Sequence, residues 1–194
     1  MPKKSEPLSV RSIVEFTKKN RCQGKKMKPE KTLASKYPPS QPCSCEICLG
    51  YCARPGWWTV EEAASSIRAG FGSRMMLEMS PDLSFGVLSP AFKGCELAFA
   101  ENRFANNGCT FLKDNLCELY GTGHQPLECR FCHHDRRGMG PKCHADIEKD
   151  WNTPAGRALV IKWSKLTGFW ERLKIYEWEW LKLGTRHRGH GKTK

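Results

Sequence analysis

Thiols and imidazoles in two clusters carry the chemistry legible in this chain. Cys43-Ser-Cys45-Glu-Ile-Cys48-Leu-Gly-Tyr-Cys52 sets four thiols in ten residues. Cys109, Cys117, Cys129 and Cys132 form the second cluster, continued by His133, His134, Asp135, Cys143 and His144. Thiolate and imidazole are ligands of zinc and iron, and a C-x2-C turn points two sulfurs at one place. Cys45/Cys48 and Cys129/Cys132 therefore read as halves of tetrahedral four-sulfur sites. Ligands close in sequence have part of the entropy of assembly met by the chain itself. A bound ion then contributes folding free energy directly. Zinc or iron, as one or more ions, is the expected cofactor. Cys22 and Cys95 stand apart and read as free thiols.

Eight cysteines suit two separate ions, or one polynuclear centre with bridging thiolates, an iron–sulfur cluster included. Cys43-x-Cys45 is awkward for a simple mononuclear site. Cys45-x2-Cys48-x3-Cys52 reverses the C-x3-C-x2-C order of radical-SAM proteins and lacks one step of the bacterial ferredoxin run. Cys132-His133-His134-Asp135 and Cys143-His144 have two readings. In one they complete a mixed nitrogen, sulfur and oxygen shell with an open position, fit for catalytic iron or zinc. In the other the histidines are hydrogen-bond partners behind the sulfurs, or ordinary surface residues.

These ligands need elements to hold them. Thr59-Val-Glu-Glu62 has the form of a capping box and should open a helix that ends at Gly70. Arg74–Met79 is expected to add a helical turn or two, with Met76 and Met79 packing in the core rather than binding a soft metal. Asp82–Leu88 reads as extended. Cys109–Tyr120 looks like a hairpin turning at Lys113-Asp114-Asn115. Thr153 before Pro154 marks a helix start, because proline at the first position gives up a donor that would be unpaired anyway. Gly168 should end that helix. Phe169–Lys182 is a second helix, with Phe169, Trp170, Leu173, Tyr176, Trp180 and Leu181 on one broad stripe. Trp57-Trp58 reads as a core anchor, Gly121-Thr-Gly123 as a turn, and Asp146, Glu148 and Asp150 as favouring the start of a helix after Cys143. A short helix over Ser9–Asn20 and an extended Tyr37–Pro42 complete the pattern.

The chain has 194 residues, 39% of them hydrophobic, and a net charge of +12. That excess is not in the middle. Residues 1–42 carry +8, residues 185–194 carry +4, and residues 43–184 sum to zero. The expected organisation is a basic, Pro/Lys-rich extension over 1–42, a Cys-rich metal-binding domain over 43–184, and a basic tail over 185–194. Basic ends of this kind bind polyanions loosely by counterion release rather than by reading bases. No apolar run approaches the roughly 20 residues of a transmembrane helix. Met1-Pro-Lys-Lys-Ser-Glu lacks the apolar region of a secretory signal. An odd cysteine count fits reduced thiols better than a disulfide framework, so a cytoplasmic location is expected.

Cys109-Thr-Phe-Leu-Lys-Asp-Asn-Leu-Cys117-Glu-Leu-Tyr120 and Gln125-Pro-Leu-Glu-Cys129-Arg130 resemble the later half of the YkgJ-type cysteine-cluster family. The resemblance runs roughly from Cys43 to Cys132. The first cluster departs from the family's C-x2-C-x2-C-C group, and Gln125 stands where the family has arginine. The resemblance implies zinc or iron chelation; a flagellin lysine methylase carries a related motif, but no glycine-rich loop for S-adenosylmethionine is seen here. The expected fold is α+β, mainly α with a small β hairpin and long loops, stapled by metal. The leading expectation for function is a metal-binding protein with a structural or metal-handling role. The alternatives are a small zinc-, iron- or iron–sulfur-dependent enzyme acting on a protein or peptide, and a zinc-stabilised nucleic-acid-binding module. A protein partner is expected at the aromatic C-terminal helix, and weak, non-specific nucleic acid at the basic ends.

Overall fold

The computed structural model describes residues 32–175. Helix Ser9–Asn20, Cys22, most of the basic extension, the tail 185–194, and Tyr176, Trp178, Trp180 and Leu181 of the aromatic helix lie outside them, and with them the surfaces expected to meet protein or nucleic acid.

The described chain is a mainly α domain with two small antiparallel ribbons. Seven helices run in order: α1 Leu33–Lys36, α2 Glu46–Ala53, α3 Val60–Arg68, α4 Leu127–Phe131, α5 Gly140–Trp151, α6 Pro154–Leu166 and α7 Trp170–Ile175. Between α3 and α4 lie β1 Met75–Met79, β2 Gly86–Pro90, β3 Leu112–Lys113 and β4 Leu116–Cys117. Short 3-10 turns cover Phe71–Arg74, Asn102–Asn107 and His134–Arg136. No helix among the described residues is long and apolar enough to cross a membrane.

Local signals set most of these boundaries. Thr59 Oγ1 accepts from Glu62 N at 3.2 Å while the Glu62 carboxylate accepts from Thr59 N at 3.1 Å, so the capping box is complete. The same carboxylate accepts from Leu127 N at 3.1 Å and pairs with Arg130, which ties the start of α3 to α4. The helix closes at Ala69, and Gly70 turns the chain at φ +93°. Thr59→Ala should cost about 1 kcal/mol, lowering the midpoint of thermal unfolding by roughly 2–4 °C; an unchanged midpoint would contradict the cap's role. Thr153 likewise accepts from Gly156 N with Pro154 at the first position of α6, and the helix stops before Gly168, φ +73°.

Met75–Met79 corrects one expectation. It is a strand, not a helical turn, paired with β2 in the register Met75↔Pro90 to Met79↔Gly86. Its other side is covered as well: Leu97 N donates to Met75 O, and Leu77 exchanges bonds with Ala98 and Ala100. Pairing on both sides gives the strand backbone partners that a helix would have found internally, and burial of Met75, Met76 and Leu77 outweighs their helical propensity. The methionines are core, as expected. The small hairpin also forms as expected, with Asp114 and Asn115 both at positive φ, the two-residue turn whose twist matches its strands.

Helices α5 and α6 pack on β2, and α3 packs on α6. Trp58, Trp151 and Trp163 are fully buried there. Each indole N–H has a carbonyl: His124 O at 2.7 Å, Trp58 O at 2.7 Å and Gly72 O at 2.8 Å. Buried indoles need such partners. Trp58 is the expected core anchor; Trp57 points elsewhere. The three acids placed at a helix start sit instead in the middle and last turn of α5. Asp146 pairs with Lys36 and Tyr37, and Asp150 accepts from Val60 N at 2.7 Å. The approach to the helices is tied in from its start, with Tyr37 buried and Ser40 N bonded to Arg130 O at 2.8 Å.

Candidate metal centre

The extended chain after Tyr37 delivers Cys43 and Cys45 to the start of α2. Cys45 is the residue before its first turn, and Cys48 lies inside that turn. His134 comes from the 3-10 turn after α4. Arg136 holds the two strands of chain together by donating to Pro38 O at 2.6 Å and to Phe131 O at 3.3 Å. His134 Nδ1 then lies 3.4 Å from Cys43 Sγ and 3.5 Å from both Cys45 Sγ and Cys48 Sγ. All four ligand atoms fall within 4.8 Å of one another. Zinc–sulfur and zinc–nitrogen bonds of about 2.3 and 2.05 Å set the sulfur–nitrogen edge of a tetrahedron at about 3.6 Å. The geometry is compatible with one metal ion held by three sulfurs and one nitrogen.

The surroundings favour thiolate on one side of this group. The backbone N–H groups of Ile47 and Cys48 point at Cys45 Sγ, as does the Cys43 thiol, and they bring its pKa down to about 7. Burial pushes Cys48 up to about 11. Metal binding must therefore expel a proton from Cys48 at any pH below about 11, and from Cys45 as well below about 7. From these two thiols alone, apparent metal affinity should rise about tenfold per pH unit above pH 7 and up to about a hundredfold per unit below it. Competition with a chelator at pH 6, 7 and 8 checks this; a pH-independent affinity would contradict it.

Behind the imidazole, His134 Nε2 lies 2.8 Å from Asp135 Oδ1, the carboxylate–histidine arrangement that fixes ring orientation in metal sites. Asp135→Asn should weaken metal binding about 10–100-fold without changing ion count at saturation. Equal affinity by chelator competition would speak against a ligand role for His134. His133 is not part of the three-sulfur group. It is buried, stacks on His134 at 4.0 Å, and its Nδ1 accepts from Asp135 N at 3.3 Å. His133, His134 and Asp135 form a second close group that shares His134.

The two pairings read from C-x2-C spacing are redistributed. Cys45 and Cys48 do converge, but with Cys43 and His134 rather than in a four-sulfur set. Cys52 leaves its sequence neighbours: its thiol is pushed up by burial and by the charge of Cys117. Cys109 feels Cys117 and Cys52, and Cys129 feels Cys109 and Cys117, with burial raising the pKa of each. Backbone donors serve these sulfurs as well. Gly56 N donates to Cys129 Sγ at 3.2 Å, Phe111 N–H faces Cys109, and Leu119 and Tyr120 N–H groups face Cys117. A Cβ at Gly56 would sit 3.0 Å from Cys129 N and 3.1 Å from Cys129 Sγ, so a larger residue there would push on this thiol and its backbone. No three of these four sulfurs come within 4.8 Å of one another, wider than one tetrahedral ion requires. Cys132 and Cys143 form a further neighbouring pair, pushed up to about 11 and 12 by burial and by the Glu128 charge. Cys95 stands apart, buried, its thiol donating to Phe99 O at 3.0 Å. The ten described cysteines are all free thiols.

A cavity of about 1480 Å³ joins these groups. Cys43, Cys48, Cys52, Cys117, Cys129 and Cys132 all reach it. So do three residues that sequence reasoning did not single out for a site: Trp57, Glu78 and Glu128. Glu128 Oε1 lies 3.0 Å from His144 Nδ1, its other oxygen accepts from Trp57 N at 2.8 Å, and the Trp57 and His144 rings stack at 3.9 Å. His144 is thus held by Glu128 rather than by a thiol, and its pKa is raised chiefly by that hydrogen bond.

Compared with family models, curated proteins and solved structures, the chain matches none of them.

Proposed function

We propose that this chain is a zinc-binding protein whose Cys43, Cys45, Cys48 and His134 hold one ion in a closed tetrahedral site, in a structural or metal-handling role. The observation that carries the reading is the convergence of three sulfurs on His134 Nδ1 at 3.4–3.5 Å. Three thiolates and one imidazole saturate zinc and leave no open position. Cys52, Cys109, Cys117 and Cys129 are assigned a second centre. Backbone N–H donors to Cys109, Cys117 and Cys129 stabilise thiolate there against the burial that raises all four thiols, and the wider spacing suits a polynuclear or iron–sulfur centre. The resemblance to the YkgJ-type family falls on three of those four cysteines and supports metal chelation by them. Titration of the metal-free chain with cobalt(II) tests the first site. Intense visible absorption of a tetrahedral thiolate complex is expected and should be lost on replacing His134 and Cys48 together; a pale octahedral spectrum would refute it.

A second reading, a metal-dependent enzyme acting on a protein or peptide, is favoured by one observation. The cavity is lined by an oriented imidazole, His144, and by several thiols.

A further inference from the structure

Glu78 is out of place by ordinary packing rules. It sits in β1 among Met75, Met76 and Leu77, which are all buried. Its side chain faces the sheet side that also carries Ser89. Both hydrogen bonds it makes fall on one oxygen: Oε1 accepts from Trp57 Nε1 at 3.0 Å and from Ser89 Oγ at 2.5 Å. The other oxygen has no hydrogen-bond partner among the described residues, and the residue lines the cavity. That oxygen opens to the cavity, where a ligand cation can replace water as its partner. Burial raises its pKa, opposed by the Ser89 and Trp57 hydrogen bonds and by the His144 charge nearby.

We infer that this cavity binds an organic cation, an ammonium or guanidinium group seated against the free carboxyl oxygen of Glu78 beside the Trp57 indole. The cationic residues already lining the cavity do not fill that role. Arg130 is held by Glu62 and by Gln125 O, Arg54 is exposed, and His144 is held by Glu128. Tyr51, Trp57, Phe92 and Leu116 supply apolar wall for the chain that carries the cation. The volume exceeds the roughly 300–1,000 Å³ of small-ligand pockets, so it admits a basic side chain of a peptide as readily as a free amine. Where thiolates outnumber the charge of a divalent ion, a loaded wall is anionic and draws cations further. That last contribution rests on the metal reading; the argument from Glu78 does not.

Titrating the full-length, metal-loaded chain with n-butylammonium, n-butylguanidinium and, as neutral control, n-butanol at constant ionic strength tests this. Saturable binding of a cation at least tenfold tighter than butanol is expected, with at least a tenfold loss in Glu78→Gln, which keeps the acceptor for Trp57 and Ser89. Butanol binding as tightly, or Glu78→Gln binding the cation unchanged, overturns the inference. If that variant does not fold, the Trp57 indole N–H resonance of the unaltered chain serves instead. It should shift saturably with butylammonium and not with butanol, and no such shift overturns the site. A blocked single-lysine peptide binding tenfold better than butylammonium assigns the cation to a polypeptide, and equal binding assigns it to a free amine. Metal content read on the same samples fails or holds independently of these outcomes.

Discussion

Cys48→Ser is expected to remove one metal ion per chain and to destabilise the domain by about 3 kcal/mol or more. Cys48 is the buried member of the three-sulfur group, and its sulfur lies 3.5 Å from His134 Nδ1. The hydroxyl of serine does not ionise as a thiol does and is a poor ligand for zinc. Structural zinc contributes about 10–16 kcal/mol of apparent binding free energy at neutral pH, all of it coupled to folding. Losing even a quarter of that is a large share of the 5–15 kcal/mol that separates folded from unfolded domains. The site also joins segments distant in sequence, Cys43–Cys48 and His134, so its loss frees the whole approach to α2. Cys95→Ser is the control. That thiol donates to Phe99 O and faces the Glu101 backbone, away from the other cysteines, and serine should keep metal content intact. Metal content by elemental analysis and unfolding with and without chelator give the answer; full retention of metal by Cys48→Ser would sink the assignment.

Gly156→Ala should destabilise by about 2–4 kcal/mol despite raising helix propensity. A Cβ at Gly156 would stand 2.2 Å from Trp151 O and 2.9 Å from the Trp151 carbonyl carbon. Both are backbone atoms at the corner where α5 hands over to α6, so no side chain can swing aside. Trp151 is itself fully buried, with its indole bonded to Trp58 O, so moving the corner disturbs the core. Against this, alanine gains only about 1 kcal/mol of propensity over glycine. Gly50 gives the opposite case: it lies within α2 with nothing within 4 Å of its Cβ position. Gly50→Ala should stabilise by about 0.5–1 kcal/mol. Thermal midpoints lowered by roughly 5–15 °C for the first are expected. Equal or raised stability in Gly156→Ala would contradict the packing described.

Short-range chemistry was legible in the sequence. The Thr59–Glu62 box, Thr153 before Pro154 and the Asp114-Asn115 turn specify their geometry within a few residues, so nothing distant can override them. Met75–Met79 was not legible. Met, Leu and Glu favour helix, and the strand is decided by partners beyond the reach of a helical turn, Gly86–Pro90 and Ala98–Ala100. Glu78 was hidden by that same misreading, since a lone carboxylate between methionines is ordinary on a helix and anomalous only in a buried strand. Helix α2 was missed because the residue before it, Cys45, is not one of the usual capping types and Gly50 interrupts the pattern. Metal-ligand types were legible and their grouping was not. C-x2-C spacing states which sulfurs can converge, but which partner arrives is a tertiary matter. Cys48 and Cys52 lie one helical turn apart on α2, yet one meets His134 and the other faces Cys117.

The most direct measurement is the metal and acid-labile sulfide content of the chain purified without oxygen, compared with Cys48→Ser. The account predicts at least one zinc per chain, reduced by one in the variant, with any iron and sulfide unchanged between the two. A folded chain that carries no metal at all would contradict it.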